Sequence, residues 1–204
     1  MRARVLPAAL AAAVLVLAGA CSSDAPTTGS EVSPPTTRQE DGKRDMPPPV
    51  MAIADDPAVP VALTIGEDSA PTDPVATDTA GVLMPPQDVS RLGWWADSAL
   101  PGSGTGSIVV TGHVDDVEQG DGFAVRFTEL DEGDEVTLSL GGGSRHQYRV
   151  DRVVSVGKGG DVPFDEVNRL GGPETLVLVT CGGEFVGPPL GYANNDFVFA
   201  TPTT

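Results

Sequence analysis

The sequence contains only two cysteines and two histidines among its 204 residues. The cysteines are Cys21 and Cys181, and the histidines are His113 and His146. A structural zinc site uses four Cys or His ligands, which usually stand in closely spaced pairs. None of these four residues has a second cysteine or histidine nearby, so the sequence predicts no zinc site.

Basic residues are also scarce. The chain has 12 lysines and arginines against 29 aspartates and glutamates, which gives a formal net charge of -17. From residue 58 onward there are 22 acidic and 7 basic residues. Nucleic acids and anionic lipid headgroups attract basic surfaces, so the composition argues against both as partners. A solvated acidic surface is the simplest interpretation, and it identifies no substrate.

Internal repeats and phosphate-binding loops are absent from the sequence as well. No segment recurs at a period of about 20 to 50 residues, which excludes solenoids and propellers. The stretch "GSGTG" at residues 102–106 lacks the helix that follows a phosphate-binding loop, so it is predicted to be a turn. The sequence therefore predicts no nucleotide cofactor, and no other cofactor either.

The start of the chain is predicted to be an export signal. Residues 1–20 have a short basic start, an apolar run and small residues at the end, as a secretory signal peptide does. Ala-Gly-Ala leads directly into Cys21, which resembles a bacterial lipobox, where the cysteine is lipidated and becomes the new N-terminus. Ordinary signal-peptidase cleavage is the alternative. Either route predicts an exported protein, and lipidation would anchor it to the membrane.

Residues 21–57 are predicted to be a disordered linker. They hold seven prolines and seven acidic residues and show no apolar periodicity, a composition that does not form a packed core. Residues 58–204 are long enough for one domain with a single core. If Cys21 carries a lipid, Cys181 has no disulfide partner, and a lone thiol in an oxidising compartment indicates reactivity.

The domain is predicted to be all-β. Six segments favour strands by their β-branched and aromatic content, at residues 60–65, 106–112, 134–140, 146–156, 175–180 and 196–201. Gly141–Gly143 can adopt the positive φ of a hairpin turn between two of them. Only "VPFDEVNRL" at 162–170 favours a helix, with Pro163 in its first turn. We therefore expect a closed or nearly closed barrel with one short helix in a crossover connection.

Cys181 follows a continuous Val/Leu run and precedes Gly182 and Gly183. Such a run predicts a strand that is buried on both faces, and the glycines leave the thiol accessible. A nucleophilic thiol needs access and a partner that promotes the thiolate. The alternative is a buried, inert cysteine.

His113 stands in a matching position at the end of "SIVVTGH", so it can supply the imidazole of a Cys-His pair. His146, just after the glycine-rich hairpin, is predicted to be an exposed strand residue. Asp115 and Asp116 follow His113 and offer oxygen ligands for a metal. This alternative lacks a second His or Cys to complete the site.

Several motifs together resemble a known family. "TGHVDD" is followed by "LVTCGG", with "GDGFAVRFTELDEGDEVTL" and "YRVDRVVSV" between them and "GVLMPPQDVSRLGWW" before them. This order and spacing resembles the sortases, in particular the class F type of actinobacteria, from about residue 60 to the end. The resemblance implies a closed β-barrel of about eight strands with one or two short helices, and a catalytic domain at 58–204.

The resemblance also implies an activity. Sortases are thiol transpeptidases that cut a sorting signal of the LPxTG kind between Thr and Gly and pass the acyl group to an amine, such as a cell-wall peptide or a pilin lysine. Cys181 would form the thioester, and His113 would protonate the leaving amine. Support for the oxyanion or the substrate is expected from five neighbouring residues, which are Asn194, Asn195, Tyr192, Thr180 and Gly182.

One family feature is missing. The resemblance implies an arginine on the strand after the cysteine, yet no Arg or Lys follows Arg169. Aligned on the last strand, the family arginine falls at Ala193. The amides of Asn194 and Asn195 would donate neutral hydrogen bonds, which are weaker than charge-assisted ones. The alternative is an arginine from another strand, for which the candidates are Arg126, Arg145, Arg149 and Arg152.

Three functional hypotheses follow. The chain is an active cysteine transpeptidase or peptidase, a catalytically weakened sortase-like lipoprotein that binds a peptide or wall component, or an unrelated all-β binding module. The pair of Cys181 and His113 favours the first, and the missing arginine favours the second. "LPGSG" at 100–104 partly matches a sorting signal, but it lacks the threonine and a following hydrophobic anchor, so we predict a loop.

Overall fold

The computed structural model describes residues 58–203. The predictions of a signal peptide, a lipidated Cys21 and a linker lie outside the described residues. Within the described range there are ten strands, which are β1 (Pro60–Ile65), β2 (Asp68–Val75), β3 (Leu92–Trp95), β4 (Ser107–Thr111), β5 (Asp115–Asp116), β6 (Gly120–Asp121), β7 (Glu135–Leu140), β8 (Arg145–Gly157), β9 (Thr175–Gly187) and β10 (Gly191–Pro202). A 3₁₀ helix spans Phe123–Glu129, and one short α-helix, α1, spans Phe164–Val167.

Eight of the strands close into a barrel in the order β1-β2-β3-β4-β9-β10-β8-β7. Most neighbours are antiparallel, but β2 pairs with β3 and β4 pairs with β9 in parallel. Closure leaves no free sheet edge in the barrel. The prediction of an all-β closed barrel of about eight strands with one or two short helices is confirmed.

The core fills the barrel interior. Leu63, Leu138, Tyr148 and Leu176 are fully buried there, together with Phe127 of the 3₁₀ helix. A second cluster outside this core joins β4, β9 and β10 to α1 through Val109, Val167, Val177, Phe197 and Phe199. Because both faces of β4 and of the first half of β9 are covered, these strands are rigid supports for the residues that follow their buried segments.

The six predicted strand segments correspond to β1, β4, β7, β8, β9 and β10. Two barrel strands escaped prediction. Strand β2 contains Pro71 and Pro74, and proline normally argues against a strand because it cannot donate to the ladder. Strand β3 has only four residues. The predicted helix at 162–170 is reduced to the single turn of α1, and the 3₁₀ helix was not anticipated.

The two predicted turns are present. Strands β7 and β8 form an antiparallel hairpin, and of the three glycines between them only Gly143 has a positive φ, at 86°. The stretch "GSGTG" lies in the loop between β3 and β4. The buried Glu174 carboxylate accepts hydrogen bonds there from the backbone N–H groups of Gly102 (3.0 Å) and Gly104 (2.6 Å) and from the Tyr148 hydroxyl (2.7 Å).

Residues 58–203 include no helix with the length and hydropathy needed to cross a membrane.

Candidate active site

A cleft of about 610 Å³ opens on the outer face of the barrel over β4, β9 and β10. One wall is the connection between β2 and β3, including Leu83, Met84 and Pro85, and the other is the segment around α1, including Phe164 and Val167. Its lining is mostly apolar, with a small number of polar groups, which is typical of a ligand site. Cys181 and His113 both line it.

Cys181 lies in the middle of β9, opposite Asn195 of β10. Its side chain is half-buried and forms no disulfide. The prediction that the strand ends at the cysteine was wrong, because β9 continues through both glycines to Gly187. The thiol is therefore held by a strand with paired neighbours on both sides.

The glycine after the cysteine has a specific packing reason. A Cβ built at Gly182 would lie 1.9 Å from Oδ2 of Asp196, so the Asp196 carboxylate occupies the space of a side chain there. The Ser155 hydroxyl donates a hydrogen bond to the same carboxylate. Gly183 has φ 74°, a conformation that glycine adopts at little cost. The glycines thus shape the strand beside the thiol as well as expose it.

His113 directly follows Gly112 at the end of β4 and is half-buried. A Cβ at Gly112 would lie 2.5 Å from Leu92 Cδ2 and 2.8 Å from Ala124 Cβ. Only glycine fits this close packing, which fixes the backbone immediately before the imidazole. Gly122 packs equally closely against the backbone of His113, since a Cβ built at Gly122 would lie 2.2 Å from the His113 carbonyl oxygen.

The parallel pairing of β4 with β9 brings the two residues together. Thr111 pairs with Val179; Cys181 is two residues further along β9, and His113 is two residues past the end of β4. Side chains two positions apart in a strand share a face, so the thiol projects from the same side as Val179. All four line the cleft. A Cys-His pair on adjacent, buried strands can carry out nucleophilic acyl transfer.

Of the five predicted supporting residues, Thr180 and Asn195 line the cleft. Asn194 lies outside the cleft lining and donates a hydrogen bond from Nδ2 to Ser155 Oγ at 2.9 Å. Tyr192 donates from its hydroxyl to Asp115 Oδ2 at 2.6 Å. Gly182 packs against Asp196. The roles predicted for these residues in oxyanion and substrate binding stay predictions.

The two acidic residues after His113 serve local structure. Asp115 accepts the Tyr192 hydrogen bond, which raises the pKa of Tyr192 to about 12. Asp116 accepts backbone hydrogen bonds from Glu118 (2.9 Å) and Gln119 (3.1 Å), and these lower its pKa. Within residues 58–203, no three His, Cys, Asp or Glu side chains are grouped closely enough to hold a metal.

His146 was expected to be exposed and is half-buried instead. Its ring packs on Gly102, where an added Cβ would lie 2.4 Å from Cε1. It stands on β8 and is not part of the cleft lining. The loop that contains "LPGSG" packs against it through Gly102, and Glu174 holds that loop by accepting hydrogen bonds from the backbone N–H groups of Gly102 and Gly104.

None of the four candidate arginines lines the cleft. Three of them form ion pairs elsewhere, which are Arg126 with Asp68, Arg149 with Glu135, and Arg152 with Glu166. A cation that sequence reasoning missed is present instead. Lys158 lines the cleft, and its Nζ donates hydrogen bonds to Cys181 Sγ (3.7 Å) and to the Leu190 carbonyl (2.9 Å). The only sequence signal was its place, in "SVGKGG", directly after a predicted strand.

Solved structures of other proteins have a similar fold. The chain resembles sortase C-1 from Actinomyces oris, with 20% identity, a TM-score of 0.55 and coverage of 72% of this chain and 76% of that one. A lid mutant of sortase A from Corynebacterium diphtheriae matches with 22% identity and a TM-score of 0.53, over 72% of this chain and 70% of that one. A pilus-related sortase C of Group B Streptococcus matches with 16% identity and a TM-score of 0.53, over 72% and 68%.

These likenesses establish the fold. No protein of curated function matches the sequence significantly. The family model described as the sortase domain matches residues 59–203, which is most of the chain. The chain therefore belongs to the sortase family of cysteine transpeptidases.

Proposed function

We propose that this chain is an active sortase of the class F type, which cleaves an LPxTG-like sorting signal and transfers it to an amine. The observation that carries the proposal is the shared cleft of Cys181 and His113, supplied by two adjacent parallel strands. The quoted sequence motifs support the class.

The proposed reaction has two acyl transfers. Cys181 gives its proton to His113, and its sulfur attacks the carbonyl carbon of the signal threonine. The Thr–Gly peptide bond breaks, His113 protonates the leaving amine, and a thioester remains on Cys181. An acceptor amine then attacks the thioester carbonyl and gives a proton to His113, and Cys181 leaves as the thiolate. This division into two easier steps is the general advantage of covalent catalysis.

The cleft walls suit the apolar part of such a signal. Leu83, Pro85, Trp95, Val162 and Phe164 are among the apolar side chains that face it. A leucine and a proline of the substrate would bury their surface against them, and each buried apolar side chain adds about 1.5–3 kcal/mol. The amine acceptor is proposed to be a cell-wall peptide or a pilin lysine.

We further propose that the chain is exported and works at the membrane surface, anchored by a lipid on Cys21. The signal-peptide pattern and the small residues before Cys21 support this. A linker of 37 residues between the anchor and the domain would let the cleft reach substrates away from the bilayer.

A second candidate function is peptide or cell-wall binding without efficient turnover. The specific observation in its favour is the lack of any Arg or Lys after Arg169. A charged donor on the strand after the cysteine would stabilise the oxyanion, and losing one preorganised donor costs on the order of 10²- to 10³-fold in rate.

The test is mass spectrometry of the full-length chain after incubation with an LPxTG-containing peptide. We expect the mass of the acyl fragment on Cys181, and loss of that adduct in Cys181→Ala. His113→Ala should reduce adduct formation, whereas His146→Ala, which removes the other histidine, should leave it unchanged.

Peptide binding without any adduct would favour the binding function. No binding and no adduct, in a folded chain, would contradict both proposals. Adding a small amine to the adduct measures the second step, because transfer releases a peptide-amine product.

A further inference from the structure

Lys158 is the one lysine after residue 57, and it points into the cleft beside the thiol. It follows β8, and its backbone N–H donates to the Ala193 carbonyl of β10 at 2.8 Å. Its side chain then reaches across β10 to Cys181 on β9, since β10 lies between the two strands in the barrel. The ammonium group is therefore placed by three adjacent strands.

The Lys158 ammonium group has no carboxylate partner among the described residues, although the domain is strongly acidic. Four arginines of the described residues form ion pairs with carboxylates, which are Arg91, Arg126, Arg149 and Arg152. Within residues 58–203, Lys158 has no carboxylate within 4.0 Å, although 22 acidic residues follow residue 57. Its hydrogen-bond partners are a sulfur and a carbonyl oxygen, so its positive charge is available to the thiol.

A short side chain at the neighbouring position is consistent with this reach. Ala193 stands opposite Lys158 and two residues before Asn195, which faces the cleft opposite Cys181. The β9–β10 register shifts beside Ala193, between Tyr192 and Asn194, and the side chain of Ala193 is a single methyl group.

The contact between the Lys158 ammonium group and the Cys181 sulfur favours the thiolate form of the cysteine. A thiolate is the nucleophilic form of cysteine, and a nearby lysine ammonium favours it. The site is half-buried and mostly apolar, so the attraction between charges is stronger than in open water. Among the residues that line the cleft within the described range, Lys158 is the only lysine or arginine.

We propose that Lys158 is a catalytic residue, whose ammonium group stabilises the Cys181 thiolate that attacks the substrate. The proposal rests on the transpeptidase function proposed above. The thiol proton goes to His113 and then to the leaving amine, while Lys158 keeps its own proton throughout. The cation of this site thus comes from the end of β8, and not from the strand that follows the cysteine.

The test is the rate of Cys181 alkylation by iodoacetamide, a neutral reagent, as a function of pH in the full-length chain. Cys21→Ser is the common background, so that Cys181 is the only thiol. The variants are Lys158→Met, Lys158→Gln and Lys158→Arg, and the matched control is Arg149→Met, which removes one positive charge from an exposed position on β8. Circular dichroism confirms the fold of each.

We expect Lys158→Met and Lys158→Gln to lower the alkylation rate at neutral pH by about ten-fold, because the thiolate loses its neighbouring positive charge. Lys158→Arg should retain most of the rate, and Arg149→Met should change it less than about two-fold. The same profile in Lys158→Met, Lys158→Gln and the control would overturn the proposal.

The peptide assay separates this proposal from the proposed function. A shifted alkylation profile without any acyl adduct in the unmodified chain would refute the transpeptidase function and leave the Lys158–Cys181 contact established. An adduct that forms equally fast in Lys158→Met would refute the catalytic role of Lys158 alone. An acyl group on Lys158 Nζ would also refute it, because an amide nitrogen carries no charge.

Discussion

The Thr180 hydroxyl donates a hydrogen bond of 2.9 Å to the Gly112 carbonyl, which joins the residue before Cys181 to the residue before His113. Both partners are buried. The bond continues the ladder between β4 and β9 past its last backbone bond, which runs from Gly112 N–H to Val179 O at 3.3 Å. It therefore links the backbone before the imidazole to the residue before the thiol.

Thr180→Val tests this link, since valine keeps the shape and removes the donor. We expect the free energy of unfolding to fall by about 1–3 kcal/mol, because the buried Gly112 carbonyl loses a partner. Acyl-enzyme formation should slow by about ten- to a hundred-fold, since catalysis is sensitive to small displacements. Thr201→Val, at an exposed hydroxyl on β10, is the control for both measurements. Equal rates in the two variants would show that the bond does not position the pair.

The Tyr192–Asp115 hydrogen bond is expected to appear in a pH titration. The bond raises the pKa of Tyr192 to about 12, because ionisation would remove the donated proton and place two negative charges together. Its stabilisation is present up to about pH 10, the ordinary pKa of tyrosine, and is lost as the pH rises through 12. Asp115→Asn should bring the Tyr192 pKa down toward about 10.

Near-ultraviolet absorbance of the phenolate measures this shift. The chain has only two tyrosines, and burial raises the pKa of the other, Tyr148, even further, so the first phenolate to form is that of Tyr192. Tyr192→Phe identifies its signal. An Asp115→Asn titration that coincides with that of the unmodified chain would refute the link.

Gly182→Ala should destabilise the protein by about 1–3 kcal/mol, which is typical of overpacking. The added methyl group would meet the Asp196 carboxylate at 1.9 Å and displace either Asp196 or β9 beside the thiol. Chemical denaturation measures the change. In the double variant with Asp196→Ala the clash disappears, so the two effects should be non-additive. Additive losses would mean that Asp196 does not fill the space.

Lipidation predicts the location of the full-length chain. The unmodified chain should be labelled by a fatty-acid probe and sediment with membranes, and Cys21→Ser should lose the label. Cys181→Ser, which removes the other cysteine, should retain it. An unlabelled, freely secreted chain would support ordinary signal-peptidase cleavage instead.

Local sequence patterns were sufficient to predict most of the barrel strands and to single out Cys181 and His113, which both line the cleft. The Val-rich runs before His113 and Cys181 predict buried strands because burial on both faces requires apolar side chains throughout. Strand β2 was missed because its prolines argue against pairing, yet both are accommodated at positions of the β1–β2 and β2–β3 ladders. Long-range pairing overrode the local propensity there.

The sequence by itself determined six of the barrel strands, the hairpin and the two apolar runs that lead to a thiol and an imidazole, because these depend on neighbours along the chain. Only the tertiary structure decided which strands lie side by side. Lys158 and Cys181 are 23 residues apart in sequence, and no pattern in either segment indicates that β10 inserts between β8 and β9. Barrel closure requires every strand to pair on both sides, and here β10 pairs with β8 on one side and with β9 on the other. That order brings the ammonium group to the thiol.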